Sequence, residues 1–359
     1  MKTIDFENFS GFKKSALART FRLISGARSV HFLSQYTIAS LLLGRRPSKE
    51  IREKMPSPQA IVEDLRELLR LDADQMAEGV YSSKQFKRFN VGDDLKATGL
   101  AFLDLFSVKS REQKGDVVVD SRAKGLDLPK YYSQAFHYQS EGWLSEKSAE
   151  IYDYQVETLF GGGAAAMRRQ ALIPLMASVA GGGRVRILDL AAGTGLFARE
   201  IKDNLPDSHL TVCDLSPYYL KKARKNLSDY TGVDFVEANA ESLPFPAETF
   251  DAIVCVYLFH ELPQRVRSIV SEEIRRVLKP GGSLIFVDSI QKGDQPDFDA
   301  SLKNFPAHYH EPYYINYIEQ DLAEVFVPER WERRYSKRAF LSKIVQFKKI
   351  LAMPSLEKL

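Results

Sequence analysis

The 359-residue sequence has little cysteine, no long apolar run and no strong excess of one charge, and each shortage removes a class of protein. Two cysteines, Cys213 and Cys255, cannot build a disulfide framework. Both sit in apolar, strand-like runs and are expected to be buried, reduced thiols. The first thirty residues lack an apolar core followed by a cleavage site, so no signal peptide is expected. The apolar run at 37–43 is far too short to cross a bilayer. A net charge of +3 gives no general preference for polyanions. These exclusions point to a cytoplasmic globular protein of ordinary composition, 44% hydrophobic and 27% charged.

Charge is uneven along the chain. Residues 1–54 carry eleven Lys/Arg against four Asp/Glu, and residues 327–359 carry nine against three. Such ends are usually solvated, but they also suit peripheral contact with an anionic membrane surface.

The N-terminal third reads as helical. Ser57-Pro58 has the form of an N-cap followed by a first-turn proline, with Ile61, Leu65, Leu68 and Leu69 at helical spacing behind it. A second helix is expected at 93–106, then a loop with one short strand at 107–130. Ser145 is placed to cap a helix running to about Phe160. Gly161-Gly162-Gly163 interrupts it, and a further helix at 164–179 ends at Gly181-Gly182-Gly183. That second glycine run marks the expected domain boundary.

From Arg184 the pattern changes. Strand-like runs at 185–190, 210–213, 234–237, 252–256 and 283–287 alternate with helical stretches at 197–204, 217–229 and 266–278. Alternation of this kind predicts an α/β fold with a doubly wound, mostly parallel sheet. The tail, 331–340 and 343–347, is expected to add an antiparallel hairpin at its edge.

The first strand ends in Asp189, and the small-residue turn Ala191-Ala192-Gly193-Thr194-Gly195 opens a helix. Small residues let backbone approach a ligand, and a helix start offers free N–H groups. Asp214 ends the second strand, where an acidic residue can accept from ribose hydroxyls. Gly193-x-Gly195-x-x-Ala198 also satisfies the dinucleotide fingerprint. These two features alone do not separate hydride transfer with a nicotinamide cofactor from methyl transfer.

Further segments carry a resemblance. Asn239-Ala240-Glu241-Ser242-Leu243-Pro244-Phe245 follows the third strand, residues 250–255 begin the fourth, and Arg276-Val277-Leu278-Lys279-Pro280-Gly281-Gly282 leads into the fifth. With the Asp189 turn and Cys213-Asp214-Leu215-Ser216-Pro217, they resemble the successive motifs of class I S-adenosylmethionine-dependent methyltransferases. The small-molecule branch that includes ubiquinone/menaquinone C-methyltransferases is the most similar. The resemblance covers about residues 184–290. It implies S-adenosylmethionine as cofactor, with Asp189, Ala191, Gly193, Thr194 and Gly195 about the methionine part, Asp189 lying near its amino group. Asp214 and Leu215 would take the ribose, and Asn239 and Ala240 the adenine. Two departures stand out: Ala191 replaces the usual first glycine of the loop, and Asn239 the usual aspartate. The chain then divides into a mainly helical extension at 1–140, linking helices at 141–183 and the methyltransferase domain at 184–359. A non-catalytic scaffold that keeps the fold is the second alternative.

The acceptor side is read from its aromatics. His260, in Tyr257-Leu258-Phe259-His260-Glu261-Leu262 after the fourth strand, is the first candidate for removing an acceptor proton. A capping histidine is the bland alternative. Tyr131, Tyr132, His137 and Tyr138 form one aromatic cluster with Phe136 and Trp143. His308, Tyr309, His310, Tyr313 and Tyr314 form another. With Tyr257 they are expected to close a lid over a small aromatic or apolar acceptor, and Tyr309 and His310 are further catalytic candidates. His308-x-His310-Glu311 is too sparse a ligand set, so no metal is expected. Glu311-Pro312-Tyr313-Tyr314 follows the fifth strand, not the fourth, and no Pro-Cys nucleophile occurs, which argues against nucleic-acid bases as acceptors.

Overall fold

The computed structural model describes residues 11–45, 47–84, 98–99, 108–114, 128–134, 136, 142–181, 183–307 and 309–350. The helix expected at 93–106 falls almost wholly outside them, as do His137, Tyr138 and His308.

Seven strands form one sheet: β1 (Arg186–Leu190), β2 (His209–Asp214), β3 (Val233–Glu237), β4 (Phe250–Val256), β5 (Leu278–Ser289), β6 (Trp331–Ala339) and β7 (Ser342–Lys349). Their order is β3-β2-β1-β4-β5-β7-β6. The first five run parallel, and β7 joins β5 antiparallel with β6 outside it. The expected doubly wound sheet with a closing hairpin is therefore present. Strands β1 and β4 are buried on both faces, which is why they read as continuous apolar runs rather than as alternation.

Helices precede the sheet: α1 (Gly11–Leu43), α2 (Lys49–Lys54), α3 (Pro58–Glu78), α4 (Glu146–Leu159), α5 (Ala164–Arg169) and α6 (Leu172–Val179). Ser57 and Ser145 cap α3 and α4 as expected, accepting from Ala60 N at 3.1 Å and Ser148 N at 3.0 Å. The single helix expected at 164–179 is two, α5 and α6. Pro174 has no N–H for the carbonyl of Gln170, and its ring crowds that carbonyl, so a continuous helix fails there. Residues 108–114, expected as loop, are helical. Arg111, Glu112, Gln113 and Lys114 are good helix formers, and Glu112 meets Arg45 at 3.2 Å.

Between and after the strands come α7 (Leu196–Asn204), α8 (Pro217–Asn226), α9 (Gln264–Val277), α10 (Asp299–Asn304), α11 (Tyr314–Glu319) and α12 (Leu322–Val325). In α9, Val266, Val270, Ile274 and Val277 make the buried stripe against the sheet. One apolar cluster runs from Leu65, Leu68 and Met76 on α3 through Met167 and Leu172 to Leu188, Val254 and Ile285 in the sheet. Polar ties reinforce it: Arg338 pairs with Asp64 at 2.6 Å, and Arg169 bridges Asp72 and Glu200. The helical extension and the sheet thus share a core.

Candidate active site

Strand order reverses between β1 and β4, and a crevice opens where their carboxyl ends diverge. The residue after each strand, Ala191 and Tyr257, has φ near +57°, a conformation uncommon for side-chain-bearing residues. Both turn the chain sharply away from the sheet, and both line the crevice.

A cavity of about 120 Å³ lies there. Ala191, Gly193, Asp214, Leu215, Asn239 and Ala240 are on its wall, with the aromatic rings of Trp143, Tyr152 and Tyr219. Those three rings meet edge-on, 5.3 to 5.8 Å apart. Asp214 accepts from Gly193 N and Ser216 N, each at 2.8 Å, and so ties the β1 turn to the end of β2. Burial pushes its carboxyl up, against the backbone hydrogen bonds from Ser216, Gly193 and Leu215. Asn239 Oδ1 already accepts from Glu241 N at 3.0 Å, leaving one lone pair for another donor.

Three other expected residues stand behind this wall. Asp189 is buried, and its Oδ2 has no hydrogen-bond partner. Burial, then the nearby Asp214 charge, push its carboxyl up to about 8, against the pull of Arg168. Thr194 donates to Asp153 Oδ1 at 2.7 Å. Gly195 begins α7 at φ +75°, where a Cβ would come 2.9 Å from the Cβ of Ala223. Its smallness serves the packing of α7 on α8.

A second cavity, about 290 Å³, adjoins the first. Trp143, Tyr152, Tyr257 and Glu261 line both. The rest of its lining is largely apolar: Leu33 from α1, Ile61 and Leu65 from α3, Phe160, Leu302, Phe305 and Phe340. His260 lies on this wall. Its Nδ1 is 2.6 Å from Oδ1 of Asp288, the penultimate residue of β5, while Nε2 is 3.5 Å from Glu261. Oδ2 of Asp288 accepts from Phe259 N at 2.8 Å, which fixes the turn carrying the histidine. Burial would push the imidazole down, but the Asp288 charge and the hydrogen bonds to Asp288 and Glu261 outweigh it. His260 is held well above the ordinary 6.5. Glu311 brings a third ligand-type atom to the group; one such atom each from His260, Glu261 and Glu311 lie within 4.8 Å of one another.

The other expected residues divide. Tyr309 and Tyr314 line the larger cavity; Tyr309 stacks on Phe305 beneath the Arg45 guanidinium, and Tyr314 bonds Ser289 at 2.8 Å. Tyr131 and Tyr132 line the smaller one. His310 and Tyr313 contact Gln134, at 2.9 and 3.1 Å, and line neither cavity. Asp288, Tyr152 and Tyr219 were not anticipated. An aspartate at the carboxyl end of a buried strand, as at Asp189, was the available signal for Asp288.

Residues 187–282 match the family model for a methyltransferase domain. That segment, from β1 to the first residues of β5, is similar to a methyltransferase domain. The likeness is to methyltransferases and not to nicotinamide-dependent enzymes, whose turn the Gly193 segment also resembles. Over 104 residues the chain is 35% identical to a demethylmenaquinone methyltransferase of Deinococcus radiodurans, covering 29% of this chain and 42% of that protein. It is 30% identical over 162 residues to 2-methyl-6-phytyl-1,4-hydroquinone methyltransferase 1, chloroplastic, of Oryza sativa subsp. japonica, covering 45% and 46%. The match spans about half the length of these relatives. Among solved structures, the N-methyltransferase NodS from Bradyrhizobium japonicum WM9 with S-adenosyl-L-homocysteine superposes with a TM-score of 0.37. It has 18% identity and covers 51% of this chain and 86% of that one. The matched residues hold β1 to β4 and the start of β5; helices α1 to α6, strands β6 and β7, and the Trp143 and Tyr152 side of the smaller cavity lie outside them.

Proposed function

We propose that this protein methylates a quinol-type small molecule with an apolar body, using S-adenosylmethionine. The observation that carries this is the pair of adjoining cavities, one at the reversal of strand order, the other apolar and bearing His260. Two relatives are named for methylating a demethylmenaquinone and a phytyl hydroquinone, both ring compounds with apolar tails. The smaller cavity fits the cofactor. Asp214, on its wall, keeps lone pairs for hydroxyl groups, and Asp189 behind that wall has a buried Oδ2 without a hydrogen-bond partner, whose charge would favour a nearby ammonium through space.

The chemistry that S-adenosylmethionine supplies when bound is an electrophilic methyl on a sulfonium sulfur. The protein's own share is alignment, exclusion of water and movement of a proton. Trp143, Tyr152 and Tyr257, which both cavities share, would fix the spacing between cofactor and acceptor and keep the junction dry. His260 Nε2, once neutral, takes the hydroxyl proton of the acceptor and leaves an electron-rich ring. Asp288 stabilises the resulting imidazolium and sets its orientation, a contribution of ~10²–10⁴-fold for general-base help.

The test is turnover with hydroquinones of increasing tail length, alongside calorimetric titration with S-adenosylhomocysteine. Cofactor binding without methylated product from any hydroquinone would favour the scaffold alternative. No binding would remove the basis for both.

A further inference from the structure

We propose that the junction between the two cavities recognises the positive sulfonium of S-adenosylmethionine, through the rings of Trp143, Tyr152 and Tyr257 and the carboxylate of Glu261. This rests on the reading that the cofactor occupies the smaller cavity. Among the described residues, these four alone line both cavities. None of the four is aliphatic. Elsewhere the larger cavity offers Leu33, Ile61 and Leu302. Side chains of that kind would suit a neutral methyl group as well; π faces and a carboxylate differ from them in attracting positive charge.

Chemistry places the charge here. A methyl that passes from one cavity to the other crosses the junction, so the sulfur that carries it must lie beside it. A sulfonium has no N–H or O–H to donate, so hydrogen bonds cannot select it. Ring faces and a charge acting through space can.

The rings are arranged for that. Trp143 and Tyr152 cross at 81°, with centroids 5.6 Å apart, and Tyr219 stands at 88° to Trp143. Rings that meet edge to face do not bury their faces in one another as a stack does. Phe136 stacks on Trp143 and Phe160 on Tyr257, which leaves each of the two a second face outside the stack. Burial, with the Asp153 and Glu261 charges, pushes the Tyr152 hydroxyl up against the pull of Arg168, so this ring stays a neutral phenol. Trp143 and Tyr152 both precede residues 187–282, so the likeness to a methyltransferase domain does not extend to them.

Transfer would move the charge. The sulfur–methyl bond breaks with its electron pair left on sulfur, the methyl bonds to the acceptor, and the acceptor's proton goes to His260. The positive charge has then passed from sulfur to the imidazolium, whose Nε2 is 3.5 Å from Glu261. Glu261 thus faces a cation before and after transfer, while the rings lose theirs.

The test is calorimetric titration of the full chain with S-adenosylmethionine and with S-adenosylhomocysteine, which lacks the methyl and the charge. Tyr152→Leu and Glu261→Gln should each lower affinity for the first relative to the second by about tenfold. Tyr152→Phe keeps the ring face and should keep the wild-type ratio. Should Tyr152→Leu misfold, Glu261→Gln, of nearly the same shape as the wild type, carries the test. An unchanged ratio in both variants overturns the proposal, and so does an equal loss of both ligands, which is what a packing role would give. A wild-type chain that binds neither compound removes the reading of the smaller cavity along with this proposal; one that binds both, with a ratio the variants do not move, removes the proposal alone.

Discussion

Asp288 holds His260 from two directions: Oδ1 lies 2.6 Å from the Nδ1 atom, and Oδ2 accepts from the backbone N at 3.3 Å. The same carboxylate thus orients the ring, fixes its turn and favours its charged form.

His260→Ala should lower turnover by ~10²–10⁴-fold with cofactor affinity nearly intact. In the wild type, kcat should rise with pH, with a midpoint above the ordinary 6.5, because the base must first shed a proton that Asp288 and Glu261 stabilise. Asp288→Asn removes the charge, so the midpoint should fall. A profile that keeps its midpoint in that variant would show that the titrating group is another one. A chelator should leave turnover unchanged.

Asp189 predicts a pH dependence of binding instead. Its carboxyl, near 8 when the cavity is empty of cations, is largely protonated at neutral pH. An arriving ammonium favours the ionised form, so binding should release a proton. Affinity for S-adenosylhomocysteine should therefore improve between pH 6 and 8, by at most about tenfold per pH unit. Calorimetry in buffers of different ionisation enthalpy measures the release directly. Asp189→Asn should abolish that dependence.

Asp214 has a double role, which two substitutions separate. Asp214→Ala loses the ties to Gly193 and Ser216 as well as any ligand contact, so both stability and affinity should fall. Asp214→Asn keeps one acceptor oxygen for those ties. It should weaken cofactor binding by ~1.5–3 kcal/mol with a smaller loss of stability. Affinity unchanged in both variants would remove Asp214 from the site.

The sheet was legible because each strand and helix follows a local rule. Apolar runs such as 252–256 mark doubly buried strands, and Ser57 and Ser145 mark helix starts. The split at Pro174 was equally local, and the missing N–H should have ended the helix expected at 164–179. The first cavity was legible through its turn, since backbone that approaches a ligand must be small. The second was not. Its wall gathers Leu33, Ile61, Phe160, Leu302 and Phe340 from five separate parts of the chain, and apolar residues that line a cavity have the same composition as those that fill a core. Asp288 offered one local signal, its place at the end of an apolar strand, but its partner lies twenty-eight residues away and the β4–β5 pairing brings them together.

The β1 turn yields a pair of opposite predictions four residues apart. Ala191 adopts φ +57° although it carries a Cβ, at a cost of ~1–2 kcal/mol relative to a right-handed conformation. Glycine escapes that cost but loses more entropy on folding, so Ala191→Gly should raise stability by only about 1 kcal/mol or less. Gly195→Ala faces the same backbone penalty at φ +75° and a contact of 2.9 Å with the Ala223 Cβ, which belongs to a packed helix and cannot swing away. That substitution should cost at least ~2 kcal/mol. Denaturant unfolding of the two variants, with and without S-adenosylhomocysteine, measures both. Because Gly195 stands behind the cavity wall, its variant should lose stability in proportion with and without ligand. A selective loss of ligand affinity would instead put Gly195 in contact with the cofactor.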